Sequence, residues 1–386
     1  HNNANASAQW SDELLTHGDL GVSPWGQFGL KADNSKGGNT SALKDFKIQE
    51  IFKFPNEYGS QVAMAVDDQG RLYVSGQKNM GLYRMTLNPD TEQFSIVKMP
   101  LELKGTRGMV WHKNSLYYYF KNGGLMRLWD SNGDDMLDSS ELYQTAFNGS
   151  EHGSHSVVVT QDQKDFYLVG GNHTPKPKDE IVSFSRVQSW DEDLLLEREW
   201  DGNNHARGVY APGGHITRYN PETKKNEIFA IGFRNQFDIA FNAWGDMFTY
   251  DADMEWDMGT PWYRPTRINF VASGSDYGWR SGSGKWPAYY EDSLPSILDI
   301  GPGSPTGMVS GVGAKFPAKY QKAVYAFDWT YGTVHALHLK TDGAGYKAER
   351  ESFAFGEPMP LTDGLIGKDG AMYFLTGGRG TDSRLY

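Results

Sequence analysis

The sequence predicts an all-β, six-bladed β-propeller with loop insertions on one face, and three observations carry that reading. A polar turn followed by an apolar strand recurs six times, very roughly 45 to 80 residues apart, the signature of a blade array. Glycine is abundant at 45 of 386 residues, and aromatics reach 14%, with 12 Trp and 21 Tyr, as packed antiparallel sheets joined by tight turns require. No long stretch shows the 3.6-residue periodicity of an amphipathic helix. A β-sandwich with an extra domain is the competing architecture, and the sixfold recurrence speaks against it.

The repeats begin with Asp68-Gln69-Gly70-Arg71-Leu72-Tyr73-Val74. They continue at Lys113-Asn114-Ser115-Leu116-Tyr117-Tyr118, Gln163-Lys164-Asp165-Phe166-Tyr167-Leu168 and Ala243-Trp244-Gly245-Asp246-Met247-Phe248. The last two are Tyr320-Gln321-Lys322-Ala323-Val324-Tyr325 and Lys368-Asp369-Gly370-Ala371-Met372-Tyr373. Apolar strands precede most of these turns, as at Gln61 to Val66 and Ser156 to Val159. Outer strands follow, as at Gly81 to Met85 and Gly214 to Tyr219. Residues 1–50 then form an N-terminal extension and residues 51–386 the propeller. The rhythm breaks at 172–210, which is polar, and at 251–307, which is rich in Trp, Tyr, Pro and Gly. Insertions of this kind gather on one face and carry binding.

Composition narrows the partners. A net charge of −11 disfavours nucleic acid, whose phosphates need a basic face. Zero cysteines remove disulfides, thiolate nucleophiles and cysteine metal sites. No apolar run has the length of a membrane span. The small polar opening His1-Asn2-Asn3-Ala4 carries no signal-peptide pattern and reads as a processed terminus or a frayed end, although a terminal histidine can chelate copper.

Asp130-Ser131-Asn132-Gly133-Asp134-Asp135-Met136-Leu137-Asp138-Ser139-Ser140-Glu141 has the register of a calcium loop. Asp130, Asn132, Asp134, Asp138 and Glu141 supply side-chain oxygens, and Met136 a backbone carbonyl. Asp135 replaces the usual glycine at the sixth position, a substitution aspartate tolerates because it accepts positive φ. An acidic surface loop is the alternative.

Chemistry concentrates elsewhere. Glu151-His152-Gly153-Ser154-His155 precedes a strand, and Gly171-Asn172-His173 ends the next. His152 is the candidate proton acceptor at the channel mouth. The alternative is a transition-metal site built from His152, His155, His173, Asp251 and Asp253. The run Gly232-Phe233-Arg234-Asn235-Gln236 leads through a hairpin to the carboxylates Asp251, Asp253 and Glu255. Arg234, Arg264, Arg267, Arg379 and Arg384 suggest an anionic ligand in an acidic protein.

These motifs resemble the soluble glucose/sorbosone (aldose sugar) dehydrogenases that use pyrroloquinoline quinone (PQQ), and among them bacterial secreted homologues that often carry a cytochrome c domain. The resemblance runs from about residue 55 to the end. His152 stands ten residues before Asp162, as that family's catalytic histidine stands before a turn aspartate. Gly232-Phe233-Arg234-Asn235-Gln236 corresponds to the family's Gly-x-Arg-Asn-Pro, Asp276-Tyr277-Gly278-Trp279 to Asn-Tyr-Gly-Trp, and Pro305-Thr306-Gly307 to Pro-Ser-Gly. Ser383-Arg384-Leu385-Tyr386 matches the terminal Gly-Arg-Ile-Tyr-like strand. Departures are Gln236 for proline, His155, and the 251–262 segment. No Cys-x-x-Cys-His haem motif is present.

The resemblance implies a periplasmic or secreted oxidoreductase that moves a hydride from a sugar hydroxyl or hemiacetal to PQQ. His152 and Arg234 would be catalytic. Arg234, Asn235, Arg379 and Arg384 would hold the quinone. Tyr277, Trp279 and Trp256 would flank the sugar, and a c-type cytochrome would accept electrons. A metal-dependent carbohydrate-active enzyme without quinone and a non-catalytic glycan-binding propeller remain the other readings. The end of the chain on a blade strand implies either a truncated chain or closure of the ring by an N-terminal strand.

Overall fold

The computed structural model describes residues 31–33, 39–78, 80–91, 93–121, 124–144, 151–175, 206–253, 264–280 and 293–386. These form six sheets arranged as a six-bladed β-propeller, antiparallel except where Ser275–Asp276 adds a short parallel strand beside Lys225–Phe233. Blade 1 holds Gln61–Val66, Leu72–Gly76, Gly81–Asn88 and Gln93–Glu102; blade 2 holds Thr106–His112, Ser115–Phe120, Leu125–Trp129 and Ser139–Leu142. Blade 3 holds Ser154–Val159, Phe166–Gly170, Gly214–Asn220 and Lys225–Phe233; blade 4 holds Ile239–Phe241, Met247–Asp251, Thr266–Val271 and Leu298–Gly301. Blade 5 holds Pro305–Ser310, Val324–Asp328, Thr333–Asp342 and Gly345–Glu357. Blade 6 is closed by both ends of the chain: Leu361–Ile366, Met372–Thr376 and Arg384–Leu385 are completed by Phe52–Lys53.

All six predicted turn-and-strand repeats are the first hairpin of a blade. The turns form because a short polar side chain caps the reversing backbone. Asp67 Oδ1 accepts the N–H groups of Gln69 and Arg71, both at 2.9 Å. Asn242 Oδ1 does the same for Trp244 and Asp246, at 2.9 Å each. Blade 5 differs: Pro317, with its fixed φ, starts the short helix Ala318–Gln321 in place of a tight turn.

The second strands read as unbroken apolar runs because both faces of each sheet are buried. Leu116 and Tyr118 pack toward blade 1, whereas Tyr117 and Tyr119, one residue on, pack toward blade 3. Equivalent clusters fill the other blade interfaces, including Phe248, Tyr250, Val324 and Leu337 between blades 4 and 5. Truncating fully buried Phe248 to alanine should cost about 3–5 kcal/mol.

The stretch 251–307 is not insertion alone, since it contains the third and fourth strands of blade 4. The fourth, Leu298–Gly301, is only four residues long, and both stand beside Gly/Pro-rich residues that concealed them. The N-terminal extension contributes too: Asn39–Ala42 pairs with the outer strand of blade 5, and Lys31–Asp33 pairs beyond it. No described helix is long and apolar enough to cross a membrane.

Candidate active site

The inner strand of each blade starts at the face to which the connection between its second and third strands returns, as the pairings Gln61↔Gly76, Thr106↔Phe120 and Leu361↔Thr376 require. There the blades surround a cavity of about 1170 Å³. This is somewhat above the usual range of sites that hold a single small ligand, roughly 300–1,000 Å³. Below it, along the propeller axis, lies a second cavity of about 260 Å³, and Arg107, Phe237 and Thr362 line both.

The floor of the upper cavity is built by a repeated irregularity. The inner strands of blades 1, 2, 3, 5 and 6 each break register near their first residues. A bulge re-aims a side chain out of the ladder. Val62, Arg107, His155, Thr306 and Thr362 fall at these breaks, and all five line the cavity.

His152 lines the cavity and is nearly buried. Its Nδ1 lies 2.8 Å from Asn172 Oδ1, and its ring stacks on His173 at 4.9 Å. An amide oxygen only accepts, so Nδ1 carries the proton and Nε2 is the basic nitrogen. The backbone N–H of Asn172 donates to Arg234 O at 2.7 Å, which joins the histidine to the Arg-Asn turn. Gly171 permits this packing: a Cβ there would lie 2.7 Å from His152 O and 2.5 Å from Asn235 Oδ1.

Arg234 and Asn235 reach the cavity from a turn held by Asp251. Gly232 begins it at φ +80°, and a Cβ there would fall 2.0 Å from Asp276 Oδ1. The Asp251 carboxylate accepts the N–H groups of Arg234 at 3.0 Å, Asn235 at 2.8 Å and Ala252 at 2.9 Å. Burial raises its pKa, and Arg267, 3.9 Å away, opposes that rise. Asp251 was expected at the channel mouth; it is fully buried behind the turn, where its oxygens hold backbone.

His155 Nε2 lies 2.6 Å from Asn235 Oδ1, and its ring stacks on Phe237 at 4.4 Å. Burial, then the nearby Arg107, lowers its pKa to about 3, so it is neutral. Also at the mouth, Arg379 lies over the Trp329 ring at 5.5 Å and pairs with Glu151 at 3.3 Å.

Several expected groupings do not form. Arg384, read as a quinone ligand, lies on the third strand of blade 6 and pairs with Glu50, two strands from the channel. Tyr277 and Trp279, read as flanking a sugar, are fully buried: Tyr277 stacks on Phe233 at 4.5 Å, and Trp279 packs with Ala206. The transition-metal set does not converge either. No group of three or more His, Asp or Glu residues is arranged to hold a metal among the described residues, because Asp251 holds backbone and His155 holds Asn235. Trp256 lies outside the described residues.

The 130–141 loop likewise gathers no such acidic group. Asp130 caps the N–H groups of Asn132, Gly133 and Asp135, Asp134 caps Met136, and Asp138 accepts from Ser131. Glu141 sits exposed on the following strand. Asp135 does take positive φ, at 67°, and its carboxylate pairs with Arg71 and Arg84.

Residues the sequence reading passed over also line the mouth: Gln77, Arg107, Lys121, Trp329 and Tyr331. Their common signal is position, at an inner-strand start or just after a second strand.

No protein-family model matches the chain, and no curated protein matches it significantly. Solved structures do. The PQQ-bound aldose sugar dehydrogenase of Streptomyces coelicolor aligns over 90% of this chain and 97% of its own, at 14% identity and TM-score 0.61. The apo soluble aldose sugar dehydrogenase of Escherichia coli aligns over 88% and 98%, at 12% identity and TM-score 0.60. The holo PQQ domain of pyranose dehydrogenase from Coprinopsis cinerea aligns over 90% and 97%, at 10% identity and TM-score 0.63. These three neighbours are sugar dehydrogenases, one PQQ-bound and one a PQQ domain, and the chain shares their propeller fold.

Proposed function

We propose that the protein is a sugar oxidoreductase that binds PQQ at the channel mouth and oxidises an aldose hemiacetal or hydroxyl. The observation that carries this reading is the oriented His152–Asn172 pair, beside Arg234 and Asn235, in a cavity roomy enough for a cofactor and a sugar together. The donor set suits the quinone: Lys121, Arg234 and Arg379 supply cations for carboxylates, and the Trp329 and Tyr331 rings offer flat apolar surface. Bound there, PQQ supplies a two-electron acceptor for hydride.

His152 Nε2 takes the hydroxyl proton as the sugar C–H leaves with its electron pair, and the oxidised carbon becomes a carbonyl. Asn172 keeps the imidazole in the tautomer that can do this. Arg234 and Asn235 donate toward negative charge that grows during transfer, from a turn already fixed by Asp251. A c-type cytochrome is the external acceptor that the resemblance implies, with the reaction in the periplasm or outside the cell. In the 130–141 loop the Asp130 and Asp134 carboxylates cap their own backbone and Glu141 stands on the strand beyond, so a chelator should leave the melting temperature of wild type unchanged.

Reconstitution with PQQ and calcium tests the main reading. The quinone band should shift on binding and bleach on adding an aldose. His152→Ala should keep the binding shift and lose about 10²–10⁴ in turnover. Protein that leaves the quinone spectrum unchanged would end the proposal.

A further inference from the structure

Arg107 is a charge that packing does not require. It stands at the register break that opens the inner strand of blade 2, between Thr106 and Gly108, and lines both the mouth cavity and the cavity beneath it. Its counterparts at the breaks of the other blades, Val62, His155, Thr306 and Thr362, are apolar or neutral.

No described residue makes a hydrogen bond or ion pair to the Arg107 guanidinium. Burial pushes its pKa down, and only the Glu151 charge pulls it back. That carboxylate is mostly exposed and lies against Arg379. Asp238 and Asp363 line the lower cavity, but their oxygens are engaged. Asp238 accepts from Ser156 Oγ at 2.6 Å, Ile239 N at 2.8 Å and Met308 N at 2.9 Å. Asp363 accepts from Met64 N at 2.7 Å and Gly364 N at 2.8 Å. A cation partly stripped of water and balanced only by a distant, exposed carboxylate is costly, and a ligand that brings an anion removes that cost.

We infer that Arg107 is a carboxylate-binding subsite on the floor of the mouth cavity, its planar fork matched to the carboxylate of a bound ligand. This deepens the proposed quinone–sugar reading and rests on it for the two sources of such a group. One is a carboxylate of PQQ, and the other is an acidic sugar such as a uronate.

The test uses wild type, Arg107→Met and Arg107→Lys. Apo protein is titrated with PQQ by absorbance, and separately melted with galacturonate or with neutral galactose. Arg107→Met should weaken PQQ binding about 10- to 100-fold, with Arg107→Lys between it and wild type. Apo Arg107→Met should melt no lower than wild type, because it loses an uncompensated charge. If PQQ affinity is unchanged while galacturonate, and not galactose, stabilises wild type but not Arg107→Met, the sugar supplies the carboxylate. If neither ligand depends on Arg107, the inference is overturned. Wild type that binds no PQQ defeats the quinone reading separately, and the galacturonate arm still decides the role of Arg107. Should Arg107→Met melt far below wild type, Arg107→Lys, which keeps the charge without the fork, decides by the same readouts.

Discussion

Asn172 and its neighbour hold His152 at two points: the Asn172 side-chain oxygen lies 2.8 Å from Nδ1, and the N–H of His173 donates to His152 O at 3.1 Å. The partner is a neutral amide, so it orients the ring without adding charge. Replacing it by a carboxylate should favour the imidazolium. Asn172→Asp should move the acid limb of the kcat/KM profile to higher pH by about one unit. Asn172→Ala should lower kcat with little change in PQQ affinity. Unchanged pH profiles in both variants would exclude a role for this hydrogen bond.

Asp251 is expected to matter for the shape of the site and for stability together. Asp251→Ala strands three backbone N–H groups and leaves Arg267 without its buried partner. The loss should be about 3 kcal/mol in denaturant melts, accompanied by weaker PQQ binding. A variant as stable as wild type contradicts the anchoring role.

Two terminal arginines should separate cleanly. Arg384 joins Glu50 where both ends of the chain close blade 6, each about one-fifth exposed. Arg384→Ala should destabilise by about 1–2 kcal/mol and leave PQQ affinity alone. Arg379 is 70% exposed beside the cavity, so Arg379→Ala should change stability by less than about 1 kcal/mol and weaken ligand binding. Exchanged phenotypes would reverse the two assignments.

Buried Asp363 and Asp238 give a pH signature. Burial, then the Asp238 charge, raises the Asp363 pKa to about 8, and burial raises Asp238 to about 6. A carboxyl whose pKa is higher folded than unfolded binds more protons in the native state. It therefore stabilises the fold at low pH, and this contribution is lost as pH rises through the folded pKa. The stability of Asp363→Asn relative to wild type should accordingly improve from pH 5 to pH 9. Parallel melting curves across that range would rule out the shared burial of the pair.

The sequence by itself determined the fold class and blade number, because turn caps such as Asp67 and Asn242 and the two-residue alternation of Tyr117 and Tyr118 act over a few residues. It also marked His152, Arg234 and Asn235, through local motifs that fall at strand starts. Only the tertiary structure decided which polar groups face the cavity. Asp251, Tyr277, Trp279 and Arg384 bear the same residue types as groups that line the cavity, yet ring closure buries them or sets them away from it. Arg107 and Trp329 were silent in the sequence for the converse reason. Their placement depends on a register break and on the meeting of distant blades, and long-range pairing of that kind leaves no local pattern.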